Sequence, residues 1–441
     1  MLTPVCALAQ RVDLAPVDRV WSGHSVPFAL AVTPRAVIVA YYDAERRLSL
    51  ASRLRRGGAW AYSKLDSVTG WDSHNGIAIA VDVRGRIHVA ANMHNDPLIY
   101  FRSAAPGDIG TMRRVPVMAE AARERRVTYP VFLKDGAGRL VFKYRDGGSG
   151  NGNEIYNVLD AQTGRWRPLL AAPLTDGEGQ RNAYFVGPVL GPDRWFHLTW
   201  VWRETPDAAT NHDLSYARSR DLVHWQRSDG TPLALPIMLA SAEIVDPVPA
   251  GRGMINNNTV VGFDPAGAPV IAFHKFDAGG NTQVYVARRG RAGWRIAQAS
   301  DWRGFRWDFG GGGTLVFRLS VGAPVPLGRD RIRVPVVRDG KPVDLLLDGR
   351  TLARLGEVEG STLAQRLAPL VAVPPGMQLD TAEDPGGSGL ALAWAARPPN
   401  RDLPGADIPA PTTLFLVRVS GSAKSSGRSR RSPGIWRGRR P

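Results

Sequence analysis

The stretch VDVRGRIHVAA, residues 81–91, sets a polar turn carrying Asp and Gly before a run of strand-forming residues. The same shape returns as LKDGAGRLVFKY at 133–144, LGPDRWFHLTWVW at 190–202 and GFDPAGAPVIAFH at 262–274. A looser copy, VTPRAVIVAYY, opens the series at 32–42. Each unit places Asp, Gly or Pro at the turn and then about six residues of high β propensity. Several units continue into a second strand, as in LIYFRS (98–103), EIYNVLD (154–160), LSYARS (214–219) and VYVARR (284–289). A tryptophan often follows, as in GAWAYS, GRWRPL, VHWQRS and AGWRIA. Helical periodicity is nearly absent. Self-similar, all-strand units of about 50 residues are the pattern of propeller blades. Weaker C-terminal copies, VPVVRDGKPVDLLLDG and GGSGLALAWAARP, bring the expected total to about seven. The sequence therefore predicts an all-β chain folded as a seven-bladed β-propeller, with a two-sheet sandwich as the alternative that the modular period opposes.

The chain has 441 residues, of which 44% are hydrophobic, enough for a large core. Its 48 glycines and 34 prolines follow no collagen-like period and suit many short strands joined by turns. No apolar run approaches the roughly 18 residues that cross a bilayer. Cys6 is the single cysteine, which excludes an internal disulfide and a thiolate-rich zinc site. It lies in MLTPVCALAQR, where ALAQ resembles the small-residue end of a secretory signal without the charged and apolar front half. Residues 1–12 are accordingly read as a signal remnant or a disordered N-terminus, with a secreted or periplasmic location favoured. A single propeller domain is expected over 13–420.

The formal net charge of +16 attracts polyanions: nucleic acid, anionic lipid or acidic polysaccharide. Part of the excess lies in SAKSSGRSRRSPGIWRGRRP, inside a basic low-complexity tail over 421–441 that reads as disordered. The other arginines are scattered, and no nucleic-acid motif with interleaved aromatics occurs, so no nucleic-acid partner is expected. RDGGSGNGNE at 145–154 is Gly-rich, but neither Lys-Ser/Thr nor a helix follows, which excludes a phosphate-binding P-loop. It reads as a loop that lets backbone approach a sugar or merely spans blades. Without a Gly-x-Ser-x-Gly elbow or a paired-carboxylate word, hydrolysis by a serine nucleophile has little support.

SRDLVHW, 219–225, resembles the Asp-box of bacterial neuraminidase (BNR) repeats, with its Trp one residue early. The wider series GHSVPFAL, WDSHNG, HVAANMHND, VTYPVF, FKYRDGGSGNGNEIYN and NAYFVGP…TNHDLSYARS runs in that order across 23–225. It resembles the BNR-type polysaccharide lyases, above all the seven-bladed ulvan lyases and the rhamnose–glucuronate lyases. The resemblance covers about half the chain, and the C-terminal third matches only in blade style. It implies that His74 and His94, at the two ends of one strand–turn unit, line a uronate subsite. Tyr129 in VTYP and Arg145 in KYRDG match the family's following tyrosine and arginine, and Tyr184 in NAYF matches a second cleft tyrosine. The implied partner of a monomeric enzyme is an acidic polysaccharide of rhamnose–uronate type. No cofactor is required. Related lyases can carry a structural ion, Ca or Zn, but the sequence offers no ligand cluster, so no metal residue is named.

Lyase chemistry on a 4-linked uronate removes the C5 proton and expels the sugar oxygen at C4, which requires the neighbouring carboxylate to be neutralised. Arginine suits that task because its fork pairs bidentately with a carboxylate and stays charged. Arg145 takes this role, with histidine assistance. His94 and Tyr129 form the base/acid pair, in unassigned order. His74 and Tyr184 are carboxylate or sugar contacts, joined by Asn75, Asn211, His212 and His197. Each histidine also has a plainer reading. His88 and His224 fall in strand or Asp-box words, His274 in IAFHKF is divided between packing and cleft, and His197 in WFHLTW reads as in-sheet packing by default. Two other functions keep the same fold: a sialidase-type hydrolase, which needs an arginine triad not evident here, and a non-catalytic carbohydrate-binding propeller.

Overall fold

The recurring turn closes on its own aspartate. Asp82 Oδ1 accepts from the backbone N–H groups of Arg84 and Arg86, each at 2.9 Å, while Gly85 takes a φ of +77°. Asp43, Asp135 and Asp264 repeat the arrangement, each accepting from the residues two and four positions on. The left-handed fourth position explains why Gly85, Gly138 and Gly267 recur there. The turn joins two antiparallel strands, and the repeat therefore builds sheets by meandering.

The computed structural model describes residues 11–328 and 330–420. Their strands form seven separate sheets of four or five strands, ordered along the chain. The third sheet contains Ile77–Val81, Ile87–Ala91, Tyr100–Ser103 and Met112–Arg114. The fourth contains His94–Asp96, Val127–Lys134, Leu140–Gly148, Asn151–Leu159 and Trp166–Pro168, and the fifth is built on Asn182–Leu190, Phe196–Arg203 and Asn211–Ser219. The one α-helix among the described residues is short, Leu363–Leu367. The all-β expectation holds.

The first sheet is made from both ends of the chain. Arg11–Val20 pairs antiparallel with Thr412–Ser420, followed by Leu390–Ala396 and Gln378–Glu383. Arg11 and Val12, expected to lie outside the domain, are already paired with Ser420 and Val419. Residues 1–10 and the tail over 421–441 lie outside the described residues.

The core lies between consecutive sheets, so both faces of a strand are covered. Phe196–Arg203 is buried at every position, which explains a run such as FHLTWVWR that shows no apolar–polar alternation. Phe28 stacks on Trp394 at 4.5 Å where the second sheet meets the first. Trp200, Trp202 and Tyr156 pack the fourth sheet against the fifth.

Candidate active site

Register brings the two loop histidines together. Ile77 pairs with Ala91 at the end of the third sheet, His74 lies in the turn just before that pair, and His94 opens the strand after it, which pairs with Thr128 in the fourth sheet. Their rings stack with centroids 4.1 Å apart. Asp72 lies between them: Oδ1 is 2.7 Å from His74 Nδ1, and Oδ2 is 2.6 Å from His94 Nδ1. A carboxylate only accepts, so both Nδ1 atoms donate and each Nε2 is turned away from it.

Tyr129 sits in the strand Val127–Lys134 at a bulge between Thr128 and Val131, in a left-handed conformation with φ +53°. Such a conformation costs a tyrosine on the order of 1–3 kcal/mol and here re-aims its ring. That ring lies 5.8 Å from each histidine and 6.3 Å from the ring of Tyr184.

Arg145 lies between the two tyrosines, with its guanidinium carbon 4.8 Å from the Tyr129 centroid and 5.2 Å from that of Tyr184. Its Nε donates to Gly147 O at 3.1 Å, while Nη1 and Nη2 are buried without a partner among the described residues. Gly152 makes room: a Cβ there would meet Arg145 Cγ at 2.8 Å. The Gly-rich stretch over 145–154 is thus a tight hairpin between Leu140–Gly148 and Asn151–Leu159 that leaves space for the guanidinium. Arg203 stands on the other side of Tyr184, 5.2 Å from its ring, and donates to its hydroxyl at 3.3 Å. His74, Tyr129 and Arg203 together line a cavity of about 410 Å³.

These neighbours set the charges. Burial alone would lower His74, but Asp402 and Asp72 outweigh it and push the imidazole up to about 9. Burial would raise Asp72, yet hydrogen bonds from both histidines hold it well below the usual carboxylate range. Tyr129 is pushed up by burial despite Arg145. Burial also acts to raise Tyr184, but the guanidinium groups of Arg145 and Arg203, with the Ser149 hydroxyl, bring it below the ordinary phenol value.

His197, His212 and Asn211 have partners of their own. His197 is buried, with Nδ1 2.7 Å from the Tyr216 hydroxyl and Nε2 3.1 Å from Asp193. His88 makes the same pair of contacts to Tyr100 and Asp82. The two histidines occupy equivalent turn-bracing positions, and His197 lies six residues, about 20 Å, along its strand from Arg203. His212 joins an ion network with Glu204 and Asp213. Asn211 is buried and donates to Ala208 O at 2.6 Å. Asn75 is buried next to His74, its backbone carbonyl accepting from Tyr42. His274 is buried against Trp307. His224 caps the Asp-box turn by way of Asp221.

Sequence reasoning overlooked Asp72, Ser149, Arg203, Thr314 and Asp402. Asp72 alone carried a local signal, two residues before His74 in WDSHNG. Among the described residues one group has metal-ligand composition, Asp72 with His74 and His94, its ligand atoms within 4.8 Å of one another. Both carboxylate oxygens of that group face an imidazole at hydrogen-bond distance.

A family model for BNR repeat-containing proteins matches residues 38–302. The chain belongs to the BNR repeat-containing family. No curated protein sequence matches it. Among solved structures, an ulvan lyase of polysaccharide lyase family PL25 superposes with a TM-score of 0.64 at 14% identity, over 93% of this chain and 96% of that one. The same type of enzyme bound to -[GlcA(1-4)Rha3S]- gives 0.62 at 14% identity over the same shares. The polysaccharide lyase Uly1 gives 0.62 at 14% identity, over 90% of each chain. At that identity the likeness is one of fold.

Proposed function

We propose that this BNR-repeat chain is a polysaccharide lyase that cleaves beside a 4-linked uronate by β-elimination, on a propeller whose seven blades are the seven sheets. The observation that carries the reading is Arg145: a buried guanidinium gripped by two tyrosine rings, its two terminal nitrogens without a hydrogen-bond partner among the described residues, beside a pair of histidines. A buried cation without a counter-ion suits an anionic ligand, and a bidentate fork suits a carboxylate.

The chemistry follows from the charges. Arg145 pairs with the uronate carboxylate and stabilises the enolate-like intermediate. His94, with Nδ1 donating to Asp72, has Nε2 available to take the C5 proton. The electron pair of the C5–H bond forms the C4–C5 double bond as the C4–O4 bond breaks. Tyr129, kept protonated by burial, gives its proton to the departing O4. His74 carries charge next to the same carboxylate, and Tyr184 with Arg203 forms the opposite wall. Rhamnose–uronate polymers, with or without sulfate, are the proposed substrate class. Polymers of that size place the monomeric enzyme outside the cytosol.

The test is a panel of ulvan, gum arabic, alginate and pectate, followed by ultraviolet absorbance of the unsaturated product. A rise with one polymer that is lost in His94→Ala supports the reading and names the substrate. Retention on an affinity gel of those polymers, without any rise, replaces it with the binding-module reading.

A further inference from the structure

The loop over 397–411 joins Leu390–Ala396 to Thr412–Ser420 in the first sheet. In it, Asp402 adopts a left-handed conformation, φ +64°, and its carboxylate reaches His74. Oδ1 accepts from Ser73 N at 3.1 Å and from Thr314 Oγ1 at 2.8 Å. Oδ2 accepts from Thr314 N at 2.9 Å and lies 3.3 Å from His74 Nδ1. Thr314 Oγ1 is itself 3.2 Å from each ring nitrogen of His74.

Thr314 ends the glycine-rich stretch DFGGGGT at 308–314, which no step above uses. That stretch is pinned on two sides. Asp207 Oδ1 accepts from Gly311 N at 2.6 Å, and Arg401 Nη1 donates to Gly310 O and Gly312 O at 3.1 Å each. Gly313 has φ +72°, and a Cβ there would lie 2.5 Å from Arg401 O, so only glycine permits the approach. Segments hundreds of residues apart are thereby assembled around one imidazole.

His94 shares Asp72 but makes no contact with Asp402 or Thr314 among the described residues. Two imidazoles stacked 4.1 Å apart repel when both are charged. The other titratable groups facing His74 are Asp72, His94 and Tyr129, with Arg203 lining the same cavity. The asymmetry lies at the rings: Asp402 reaches the His74 imidazole, whereas Asp96, beside His94, accepts from its backbone N–H.

We propose that Asp402, presented with Thr314 and the glycine loop, is a positioning residue that makes His74 the proton-holding member of the pair and leaves His94 Nε2 open. The role of that open nitrogen as base rests on the lyase reading, whereas the placement of the proton does not.

The experiment is nitrogen NMR of the full chain labelled at histidine, without polymer, with His74→Gln and His94→Gln assigning the two rings. Near neutral pH the wild type should show both nitrogens of His74 protonated. Asp402→Asn and Thr314→Val should move His74 toward the neutral ring, and Thr314→Ser should restore it. Unchanged His74 signals in both Asp402→Asn and Thr314→Val would overturn the proposal. On any polymer the wild type cleaves, Asp402→Asn should lower kcat about tenfold or more with KM nearly kept; a change in KM alone would also overturn it. Shifted signals with no polymer cleaved would uphold the proton placement and remove the lyase reading.

Discussion

Arg145 and Lys143 lie two residues apart on one strand, and their surroundings differ in one respect. Lys143 meets Glu154 at 2.8 Å, whereas the terminal nitrogens of Arg145 are buried with no hydrogen-bond partner among the described residues. The first is a structural ion pair, and the second is the group proposed to take the anion. Arg145→Lys should therefore lower kcat/KM about 10²–10³-fold, because a point charge cannot match a carboxylate bidentately. Its thermal midpoint should be held or raised, and a matching loss of stability would instead make Arg145 structural. His74 gives a second prediction. It is held above its ordinary 6.5, at about 9, so the stabilisation drawn from Asp402 and Asp72 is complete below pH 6.5 and fades as pH rises through about 9. The denaturant-stability gap between wild type and His74→Gln should narrow across that interval; a constant gap would contradict the assigned partners. His74, His94, Tyr129, Arg145 and Tyr184 were named through the family resemblance, and the structure places them side by side. Asp402 was not, since it meets Ser73 across 329 positions and no word near it mentions histidine.

At the scale of elements, the Asp turn is the unit that repeats, and it was readable because its chemistry is local. Asp264 Oδ1 takes two backbone N–H groups at 2.9 Å, and Oδ2 takes Arg288 at 3.0 Å. Asp264→Ala should cost roughly 1.5–3 kcal/mol, the range of a hydrogen bond to a charged group, measurable by denaturant titration. A cost near zero would mean that the turn closes by its glycine alone. His197 shows what the local pattern conceals. HVAA and HLTW are the same position in two units, each a buried histidine braced by the turn aspartate or its neighbour and by a tyrosine on the next strand. A strand residue reveals its face by alternation but not which end of the strand meets the cleft. The bulge that turns Tyr129 into the site was likewise hidden, because it depends on Thr128 bonding Asn95 N and Gly147 O on two other strands.

At the scale of the whole molecule, closure depends on the two chain ends meeting in one sheet. Removing residues 11–20 would strip the partner from Thr412–Ser420 and leave it an open edge. Such a truncation should unfold at a lower temperature and associate on its new edge, seen by calorimetry and light scattering; unchanged melting and scattering would show that this pairing is dispensable. The repeat count came from the turns, and the sheets follow them in chain order. What no repeat announces is that loops over 71–75, 310–314 and 397–411 converge on His74, since that depends on how successive sheets are placed. The claim that unites these scales is elimination directed by Arg145 and the His74–His94 pair. Mass spectrometry of the oligosaccharides released from a uronate polymer tests it most directly. Chains ending in an unsaturated uronate, lighter by one water than a hydrolytic fragment, are the predicted product. Saturated, hydrated ends, or no cleavage of any uronate polymer by the folded protein, would contradict it.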